Sequence, residues 1–596
     1  MKKIVLAFVF ALMCITSWAG KVLTIPVSIT QSDGTQLTVI GYGDENFHYY
    51  TTTDGVLLYH EGFNYYVAFI DDNGNISKTT QLAHEVGQRG AIETQLINAQ
   101  NKDKFFSASH EKVLETRAFK EAVQSSSTLF PHTGTPKVLV ILAQFSDTTF
   151  MDSDPKVVFD QYLNAEGALS SVGNGTVNKN FGSVSKYFND MSFGQFKPQF
   201  SIYGPVTLKN PLKYYGAGND DMNRFVPDVC KAAYESGVDF SQYDQNNDGN
   251  VDLVFIIFAG YSESYSGNSS DCICPQSGTV SNVIYNGKNV CRFGVCNELN
   301  GIPGAYKSYP YKRINGVGLF CHEFSHCMGL PDLYTTRVAS EECQNANNQE
   351  LEFWDLMDGG EYVNNGYRPS EYSAWEREAL GWMSIDTLKD TTSVVLKTID
   401  NGGKAYRFMN NNDVTGKEYF ILENVQYENW NNTTQKGHGM LVYHVDYDEN
   451  YFSLAYNAVN NTLGHPRMTL IAADGLLLNA HNATDPSSYY AQMDGDPFPG
   501  TSNVHFLTDT STVKPIIYTG TLLNKPILNI QETDGVITFD FLGKKTSTDI
   551  NNIIVENSAI IKDDRIYSLD GRYIGKDTNT LSKGIYIKNN KKFIVK

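Results

Sequence analysis

The stretch GLFCHEFSHCMGLPDLY, residues 318–334, contains two histidines four residues apart, with a glutamate directly after the first. On an α-helix His322 and His326 lie one turn apart on the same face, so both imidazoles can reach one ion. Glu323 is rotated by about 100° from His322, close enough to contact a metal-bound water without displacing it. The spacing therefore predicts a helix that carries a zinc site, with Glu323 as the base that accepts the proton of the water.

The residues after the second histidine extend this pattern. Gly329 can adopt the left-handed conformation that ends a helix, which would turn the chain so that Asp332 approaches the same metal. A carboxylate from the later stretch SAWEREALGW, Glu376 or Glu378, is the alternative third ligand. A helix with two incidental histidines is the competing interpretation. The added glutamate, glycine and aspartate at fixed spacing argue against it.

Size and charge limit the class of protein. A chain of 596 residues is too long for one core and predicts roughly three or four domains. An apolar content of 41% is ample for packed globular domains. The formal net charge of −19 argues against nucleic acid as a partner, because phosphate contacts need clustered Lys and Arg.

The first nineteen residues, MKKIVLAFVFALMCITSWA, have the pattern of a signal peptide. Two lysines precede a short apolar run, and small residues precede a cut at Gly20. The run is too short to span a bilayer comfortably, so export is favoured over a transmembrane anchor, with a secreted or cell-surface location. Apart from Cys14 of the signal peptide, all cysteines lie in one middle segment, and an even number of them predicts disulfides in an exported protein. They are Cys230, Cys272, Cys274, Cys291, Cys296, Cys321, Cys327 and Cys343.

Hydrophobic patterning changes several times along the chain. Asp-Gly and Asn-Gly pairs between alternating apolar runs predict β-hairpins before residue 130. Buried-type strands KVLVILAQF (137–145) and VDLVFIIFAGY (251–261) alternate with helical patterns, which indicates a mixed α/β core. The predicted order is a signal peptide (1–19), a β-rich segment (20–130), the α/β core (131–390), a β-rich downstream domain (391–545) and a tail of short strands (546–596).

A second metal site is predicted in the loop DQNNDGNVD, where oxygen-bearing side chains recur at alternate positions around Gly249. Hard oxygen ligands at this spacing suit calcium, although Phe255 stands where an EF-hand has its last glutamate. A polar hairpin turn is the alternative. The candidate ligands are Asp244, Asn246, Asp248, Asn250 and Asp252.

Several motifs resemble the immune inhibitor A family of secreted bacterial zinc metallopeptidases. They are HEFSHCMGLPDLY, FWDLMDGG, RPSEYSAWEREALGW, GSVSKYFNDMSFGQF and YDQNNDGNVDLVFIIFAG. The resemblance implies an α+β, metzincin-like catalytic domain that is made as a zymogen and often stabilised by calcium. It also implies that Asp332 is a zinc ligand and that Met357 forms the methionine turn beneath the zinc. Its zymogen character would make residues 20–130 a propeptide.

The tail, IYSLDGRYIGK to the last residue, resembles the sorting segments of type IX secretion cargo, which implies an export machinery as a partner. Together these features predict a secreted zinc endopeptidase that hydrolyses peptide bonds in proteins through a metal-activated water. Two alternatives stay open. One is a non-catalytic surface adhesin with a structural zinc site, and the other is a zinc hydrolase acting on cell-wall cross-links.

Overall fold

A computed structural model of the chain describes most of its residues. The described residues are 16–18, 21–22, 26–44, 47–109, 129–167, 180–216, 221–265, 267–301, 313–336, 350–454, 456–462, 464–476, 486–543, 566–568, 573–578, 581–588 and 591–595. They divide into two compact units, Met1–Gly543 and Lys544–Lys596. Most of the predicted signal peptide and Cys343 lie outside the described residues.

The N-terminal region is an antiparallel meander, as its hairpin signals predict. After a short strand β1 (Thr16–Trp18), its strands are β2 (Val27–Thr30), β3 (Gln36–Gly43), β4 (His48–Thr52), β5 (Leu57–Glu61), β6 (Asn64–Ile70) and β7 (Ile76–Leu82), followed by helix α1 (Ala91–Asn98). Strands β2 to β7 pair in sequence order. The turn between β4 and β5 contains Gly55 with φ 78°, a conformation that favours glycine.

The centre of the larger unit is a mixed sheet. Its strands are β8 (Lys137–Gln144), β9 (Gln199–Thr207), β10 (Asn250–Val251), β11 (Val254–Tyr261), β12 (Gln276–Tyr285) and β13 (Lys288–Leu299), in the order β1-β12-β13-β11-β8-β9 with β10 beside β13. Strands β8, β9, β11 and β13 run parallel, whereas β12 is antiparallel to β13. The nearly continuous apolar runs of β8 and β11 fit their position as sheet centre, covered on both faces.

Within the described ranges, the helices that cover this sheet are α2 (Pro155–Asn164), α3 (Val184–Met191), α4 (Met222–Glu235) and α5 (Val317–Met328). Alternate residues of β8 enter two different cores, because side chains of a strand point to opposite faces. Val138 and Leu142 pack in the core that contains α2, α3 and α5. Leu139 and Ile141 pack in the core that contains α4. The predicted α+β class agrees with this mixed arrangement.

The region after residue 370 is mainly β-structure. Its elements are α6 (Ala374–Ala379), β14 (Asp386–Thr387), β15 (Thr392–Leu396), β16 (Tyr406–Met409), β17 (Glu418–Val425), β18 (Gly439–Asp446), β19 (Met468–Leu470), α7 (Pro486–Met493), β20 (Ile527–Thr533) and β21 (Val536–Phe541). The sheets have the orders β14-β16-β17-β18-β19 and β15-β21-β20. Ile421 and Tyr443 belong to the same hydrophobic core as residues of α5, so this region shares a core with one face of the central sheet. The predicted domain boundaries stay predictions.

The smaller unit is an antiparallel sheet, and its strands agree with the short strands predicted for the tail. They are β22 (Ile566–Ser568), β23 (Tyr573–Gly575), β24 (Gly584–Lys588) and β25 (Lys591–Val595), in the order β23-β22-β24-β25. Within the part of the chain that the structure covers, no helix is long and apolar enough to cross a membrane.

The predicted disulfides are not met at five cysteines, which carry free thiols: Cys230, Cys291, Cys296, Cys321 and Cys327. Cys230 lies in the α4 core, whereas Cys321 and Cys327 lie in the α5 core, so the sheet separates them. Burial raises the pKa of the Cys230 and Cys327 thiols to about 12. Cys230, Cys321 and Cys327 thus behave as small apolar side chains of the core.

Candidate metal centre

Helix α5 presents the two histidines of the opening motif, and local sequence explains both of its ends. Gly316 is the N-cap in an extended conformation. Gly329 ends the helix with φ 108°, in the left-handed region that favours glycine. The Leu330 N–H then donates to the Ser325 carbonyl at 3.2 Å, which closes the last turn. The predicted helix and its glycine stop are confirmed.

Packing fixes the rotation of α5 about its axis. The ring of Phe320 stacks on Phe255 of β11 with centroids 3.8 Å apart, and Phe324 packs edge-to-face on Phe130 at 5.3 Å. Gly318 lets the helix approach the backbone of Glu361, where a Cβ atom would lie 2.0 Å from the carbonyl oxygen. Aromatic contacts on one side and this close approach on another hold the histidine face in one orientation.

His322 and His326 are both fully buried, and their ring centroids are 4.8 Å apart. Nδ1 of His322 lies 2.9 Å from the carbonyl oxygen of Leu356, and Nδ1 of His326 lies 2.7 Å from that of Leu330. A carbonyl only accepts, so each Nδ1 carries the hydrogen and each Nε2 keeps its lone pair. This is the arrangement that metal-binding histidines use.

Asp332 approaches both rings. Its Oδ1 lies 3.3 Å from Nε2 of His322 and 3.2 Å from Nε2 of His326. Asn457 holds the carboxylate from behind: its Nδ2 donates to Oδ2 of Asp332 at 2.5 Å, and its Oδ1 accepts the Asp332 N–H at 2.7 Å. One ligand atom from each of His322, His326 and Asp332 lies within 4.8 Å of the others. We call these three residues the metal cluster.

The donor atoms of the metal cluster fit zinc. Nε2 of His322 and Oδ1 of Asp332 are buried and have no hydrogen-bond partner among the described residues, although such atoms are normally satisfied in a folded protein. Two imidazole nitrogens and one carboxylate oxygen are ligands that zinc takes in proteins. Among the described residues three side chains converge here, and three protein ligands would leave a fourth position open, which is typical of catalytic rather than structural zinc sites.

Electrostatics around the cluster favour a bound cation. Burial by itself would raise the pKa of Asp332, but His326 and His322 outweigh burial and hold the pKa well below its usual range. Burial would lower the pKa of His322, but Glu361 and Asp332 raise it above its usual value. Burial raises the pKa of Glu361 itself to about 8. Positive charge between these groups relieves the cost of burying the acids.

Glu323, the predicted base, and Met357, the predicted methionine turn, are both buried. Glu323 is fully buried on α5, directly after His322. Met357 is also fully buried, and its carbonyl accepts the N–H of Leu333, beside Asp332, at 2.9 Å. The carbonyl of the preceding Leu356 accepts from His322. The turn around Met357 therefore contacts both the histidine helix and the segment that carries Asp332.

The alternative third ligands lie elsewhere. Glu378 forms an ion pair with Arg407 and accepts the Ile385 N–H at 2.9 Å. The carboxylate of Glu376 accepts the backbone N–H of Ser373 at 2.7 Å, as part of the capping box of α6. Neither carboxylate joins the metal cluster. The structure brings Asp332, and neither of these glutamates, to the two histidines.

The predicted calcium loop is a turn in which the carboxylates of Asp244 and Asp252 accept hydrogen bonds from other groups of the protein. Asp244 accepts the N–H groups of Asp248 and Gly249 at 3.0 and 3.1 Å, and the Lys288 ammonium lies 2.6 Å from its Oδ2. Asp252 accepts from Gln245 at 2.8 Å. The remaining predicted ligands, Asn246 and Asn250, bond to Asp248 within the turn. Calcium is not supported at this loop, because a lysine neutralises its most buried acid and the carboxylates do not converge.

Sequence reasoning missed two residues beside the cluster. Asn457 is 125 residues beyond Asp332 and stands in a stretch without any motif. Glu361 follows the predicted methionine turn, and its carboxylate is fully buried. The close spacing of Glu361 to Met357 was the one signal that could have drawn attention to it.

Comparison with known proteins agrees with this geometry. Residues 128–383 match the family model described as immune inhibitor A peptidase M6, catalytic domain. One relative is Immune inhibitor A of Bacillus thuringiensis subsp. alesti, 26% identical over 278 residues, or 41% of this chain and 39% of the relative. Another is Pre-pro-metalloprotease PrtV of Vibrio cholerae serotype O1 (strain M66-2), 23% identical over 283 residues, or 41% of this chain and 30% of the relative.

The matched segments therefore span less than half of the length of these curated relatives. The family match nevertheless includes every residue of the metal cluster together with Glu323 and Met357. The resemblance to the immune inhibitor A family of metallopeptidases, which the sequence motifs indicate, is thus confirmed over residues 128–383.

Proposed function

We propose that the protein is a zinc-dependent endopeptidase that hydrolyses peptide bonds in proteins through a metal-activated water. One observation carries the proposal: Nε2 of His322, Nε2 of His326 and Oδ1 of Asp332 converge within 4.8 Å in a buried site. His322, His326 and Asp332 would hold the zinc. Zinc, when bound in such a site, supplies Lewis acidity and lowers the pKa of a water molecule towards neutrality.

Glu323 is proposed as the general base and acid. It accepts the proton of the attacking water and later donates it to the amine that leaves. Its burial on α5 keeps bulk water from competing for that proton. A structural zinc site needs no such group, and the three-residue cluster leaves one coordination position for the reaction. These features favour hydrolysis over the adhesin alternative.

The supporting residues act by fixing geometry. The carbonyls of Leu356 and Leu330 hold the imidazoles in one tautomer, and Asn457 holds the carboxylate of Asp332. Met357 is proposed as the methionine turn, packed where the histidine helix and the Asp332 segment meet. Fixed ligands reduce the reorganisation needed during reaction, which is a main source of enzymatic rate enhancement.

The organisation of the chain completes the proposal. Residues 1–19 would direct export and be removed, and 20–130 would act as a propeptide that keeps the protease latent. Residues 131–390 would form the catalytic domain, with 391–545 as a downstream domain and 546–596 as a sorting tail. A secreted or cell-surface location follows from the proposed signal peptide. Proteins as substrates follow from the proposed peptidase activity.

The direct test is cleavage of casein by the purified protein, before and after removal of metal with a chelator. The proposal expects cleavage that disappears on chelation and returns when zinc alone is added back. Cleavage that survives complete removal of metal would contradict it. Assaying cell-wall fragments beside casein distinguishes the peptidase from a hydrolase of cell-wall cross-links.

A further inference from the structure

Lys436 is a buried lysine in the segment that joins strands β17 and β18, and the proposed reaction does not use it. Its ammonium donates to the carbonyl of Phe353 at 3.1 Å, to the hydroxyl of Ser370 at 2.7 Å and to Oδ1 of Asn431 at 2.8 Å. Lys436 is 1% exposed. A residue of the downstream β-region thus contacts the backbone a few residues before Met357.

The three acceptors match the three hydrogens of an ammonium group. The hydroxyl of Ser370 donates its own hydrogen to the Phe353 carbonyl at 2.6 Å, so towards Lys436 it accepts. The Phe353 carbonyl therefore receives one hydrogen bond from Ser370 and one from Lys436. Together these two side chains fix the position of that carbonyl.

Placing a lysine here is costly. All three partners are uncharged, so the ammonium has no ion-pair partner among the described residues. The ring of Trp354, 5.2 Å away, adds a cation–π attraction. Burial lowers the pKa of Lys436 to about 7, although Glu371, Asp355 and Glu423 act to raise it. Lysine is rarely fully buried unless it is paired, which indicates that this side chain is present for what it holds.

The segment that Lys436 holds, residues 351–360, supports the metal cluster at two points. The carbonyl of Leu356 accepts from Nδ1 of His322 at 2.9 Å. The carbonyl of Met357 accepts the N–H of Leu333, the residue after the third proposed ligand, at 2.9 Å. The position of this segment therefore sets the orientation of one imidazole and the path of the chain beside the carboxylate.

Hydrogen bonds within this segment make it stiff. The Met357 N–H donates to Oδ1 of Asp355 at 2.7 Å, and the Gly360 N–H donates to the carbonyl of Asp355 at 2.9 Å. A Cβ atom at Gly360 would lie 2.2 Å from that carbonyl oxygen, which shows how closely the turn folds on itself. Because the turn is closed in this way, a shift of Phe353 is passed on to Leu356, three residues further along.

We propose that Lys436 is a positioning residue of the metal centre, whose ammonium fixes the carbonyl of Phe353 and thereby the turn that orients His322. The inference rests on the proposed zinc peptidase function and gives the region 391–545 a part in it. Lys436 acts through the turn rather than on the reacting atoms. Its role is to keep the ligands in the geometry that binds the metal tightly.

The zinc affinity of the folded, full-length protein tests the proposal. Lys436→Met keeps the length of the side chain but removes its charge and its hydrogens, so we expect zinc affinity to fall by about tenfold or more. Lys417→Met, which replaces an exposed lysine directly before β17, should bind zinc like the unchanged chain. Competition with a chelating dye measures the affinities.

The unchanged chain distinguishes two kinds of failure. If it binds no zinc, the proposed metal site is itself contradicted, and the positioning role with it. If it binds zinc and folded Lys436→Met binds zinc equally well, only the positioning role is overturned.

Cobalt(II) in place of zinc gives a readout that a role in stability alone would not change, because the visible absorption of cobalt follows the geometry of its ligands. We expect the bands of Lys436→Met to differ in position or intensity from those of the unchanged chain. Lys417→Met should keep the original bands. Identical spectra in all three proteins would overturn the proposal.

Ser370→Ala is a milder variant that removes one hydroxyl, and it decides the matter if Lys436→Met does not fold. We expect it to lower zinc affinity by about threefold or more, since it withdraws one of the two bonds to the Phe353 carbonyl. Where both variants fold, the double variant should lose at least about threefold less than the product of the two single losses, because both side chains act on one carbonyl. Normal affinity in Ser370→Ala, or losses that multiply fully, would contradict the proposal.

Discussion

Oδ1 of Asp332 lies 3.2 Å from Nε2 of His326, although the two residues belong to different segments. Helix α5 ends at Gly329, and the left-handed turn there sends the chain back across the histidine face. Asn457 then fixes the carboxylate from the side opposite the imidazoles. Helix α5 thus provides the two histidines of the site. Gly329 turns the chain so that Asp332 reaches them, and the distant Asn457 holds its carboxylate.

Removing the carboxylate of Asp332 should abolish tight zinc binding. We expect Asp332→Asn to lose more affinity than the roughly 10- to 100-fold typical for residues that only support a ligand. Glu378→Gln is the matched control, because Glu378 pairs with Arg407 away from the cluster. Competition with a chelating dye measures both affinities. Zinc binding that is normal in Asp332→Asn and lost in Glu378→Gln would reverse the assignment of the third ligand.

Replacing Glu323 should lower the rate of peptide cleavage without changing the amount of zinc that the protein binds. Replacing it by glutamine keeps the size of the side chain but removes the base, so we expect kcat to fall by about 10²- to 10⁴-fold. Zinc per chain, measured by mass spectrometry of the metal, should stay unchanged. His326→Ala should lose both zinc and cleavage. Full activity in Glu323→Gln would end the proposed mechanism.

Asn457 should influence metal binding from outside the cluster. Asn457→Ala frees the Asp332 carboxylate to rotate, so zinc affinity is expected to fall by about 10- to 100-fold. Asn450→Ala removes an exposed asparagine seven residues away and should change nothing. The same dye competition measures both variants. If Asn457→Ala binds zinc like the unchanged chain, Asn457 does not position the ligand.

Gly318 should tolerate no side chain. A Cβ atom there would lie 2.0 Å from the carbonyl oxygen of Glu361, so Gly318→Ala must push α5 away from the turn beneath it. Overpacking of this kind costs about 1–3 kcal/mol or more. Gly167→Ala is the control, since no described residue has an atom within 4 Å of the Gly167 Cβ position. Urea unfolding measures both variants, and equal stabilities would show that the helix is not held at this contact.

Glu418 should make stability depend on pH. Burial would raise its pKa, but bonds from His444, Tyr518 and Asn410 lower it to about 2. Its stabilising contribution is therefore present above the unfolded value near 4.5 and is lost as pH falls towards 2. That contribution is about 3 kcal/mol at most.

Glu418→Gln should consequently be less stable than the unchanged chain at pH 7, and the difference should shrink at pH 3. Urea midpoints at the two pH values measure it, with the exposed Glu449→Gln as control. A constant difference between the variants at both pH values would show that Glu418 does not titrate as the buried contacts imply.

Much of the fold follows from local sequence rules. Asp-Gly turns predict the N-terminal meander, and apolar runs predict β8 and β11 because central strands are buried on both faces. The helix of the two histidines and its glycine stop follow from helical spacing and capping. These features depend on residues close together in the chain, which a single sequence displays directly.

Long-range pairing limits what the sequence reveals. Asn457 contacts Asp332 from 125 residues away and does not stand in a pattern that indicates a contact. At the predicted calcium loop, in contrast, a local pattern predicts a site that the structure does not support. Its spacing is favourable, but Lys288 on the neighbouring strand neutralises Asp244, which no local pattern predicts. Cys230 likewise lies in the α4 core, on the other face of the sheet from Cys321 and Cys327, which the spacing of cysteines in the sequence does not indicate.

Anomalous diffraction from crystals of the purified protein, recorded on both sides of the zinc absorption edge, tests the metal centre most directly. We expect one zinc peak within bonding distance of Nε2 of His322, Nε2 of His326 and Oδ1 of Asp332, at about 2.0–2.2 Å. A zinc-supplemented crystal without a peak at these three atoms, or with zinc bound by other residues instead, would contradict the account.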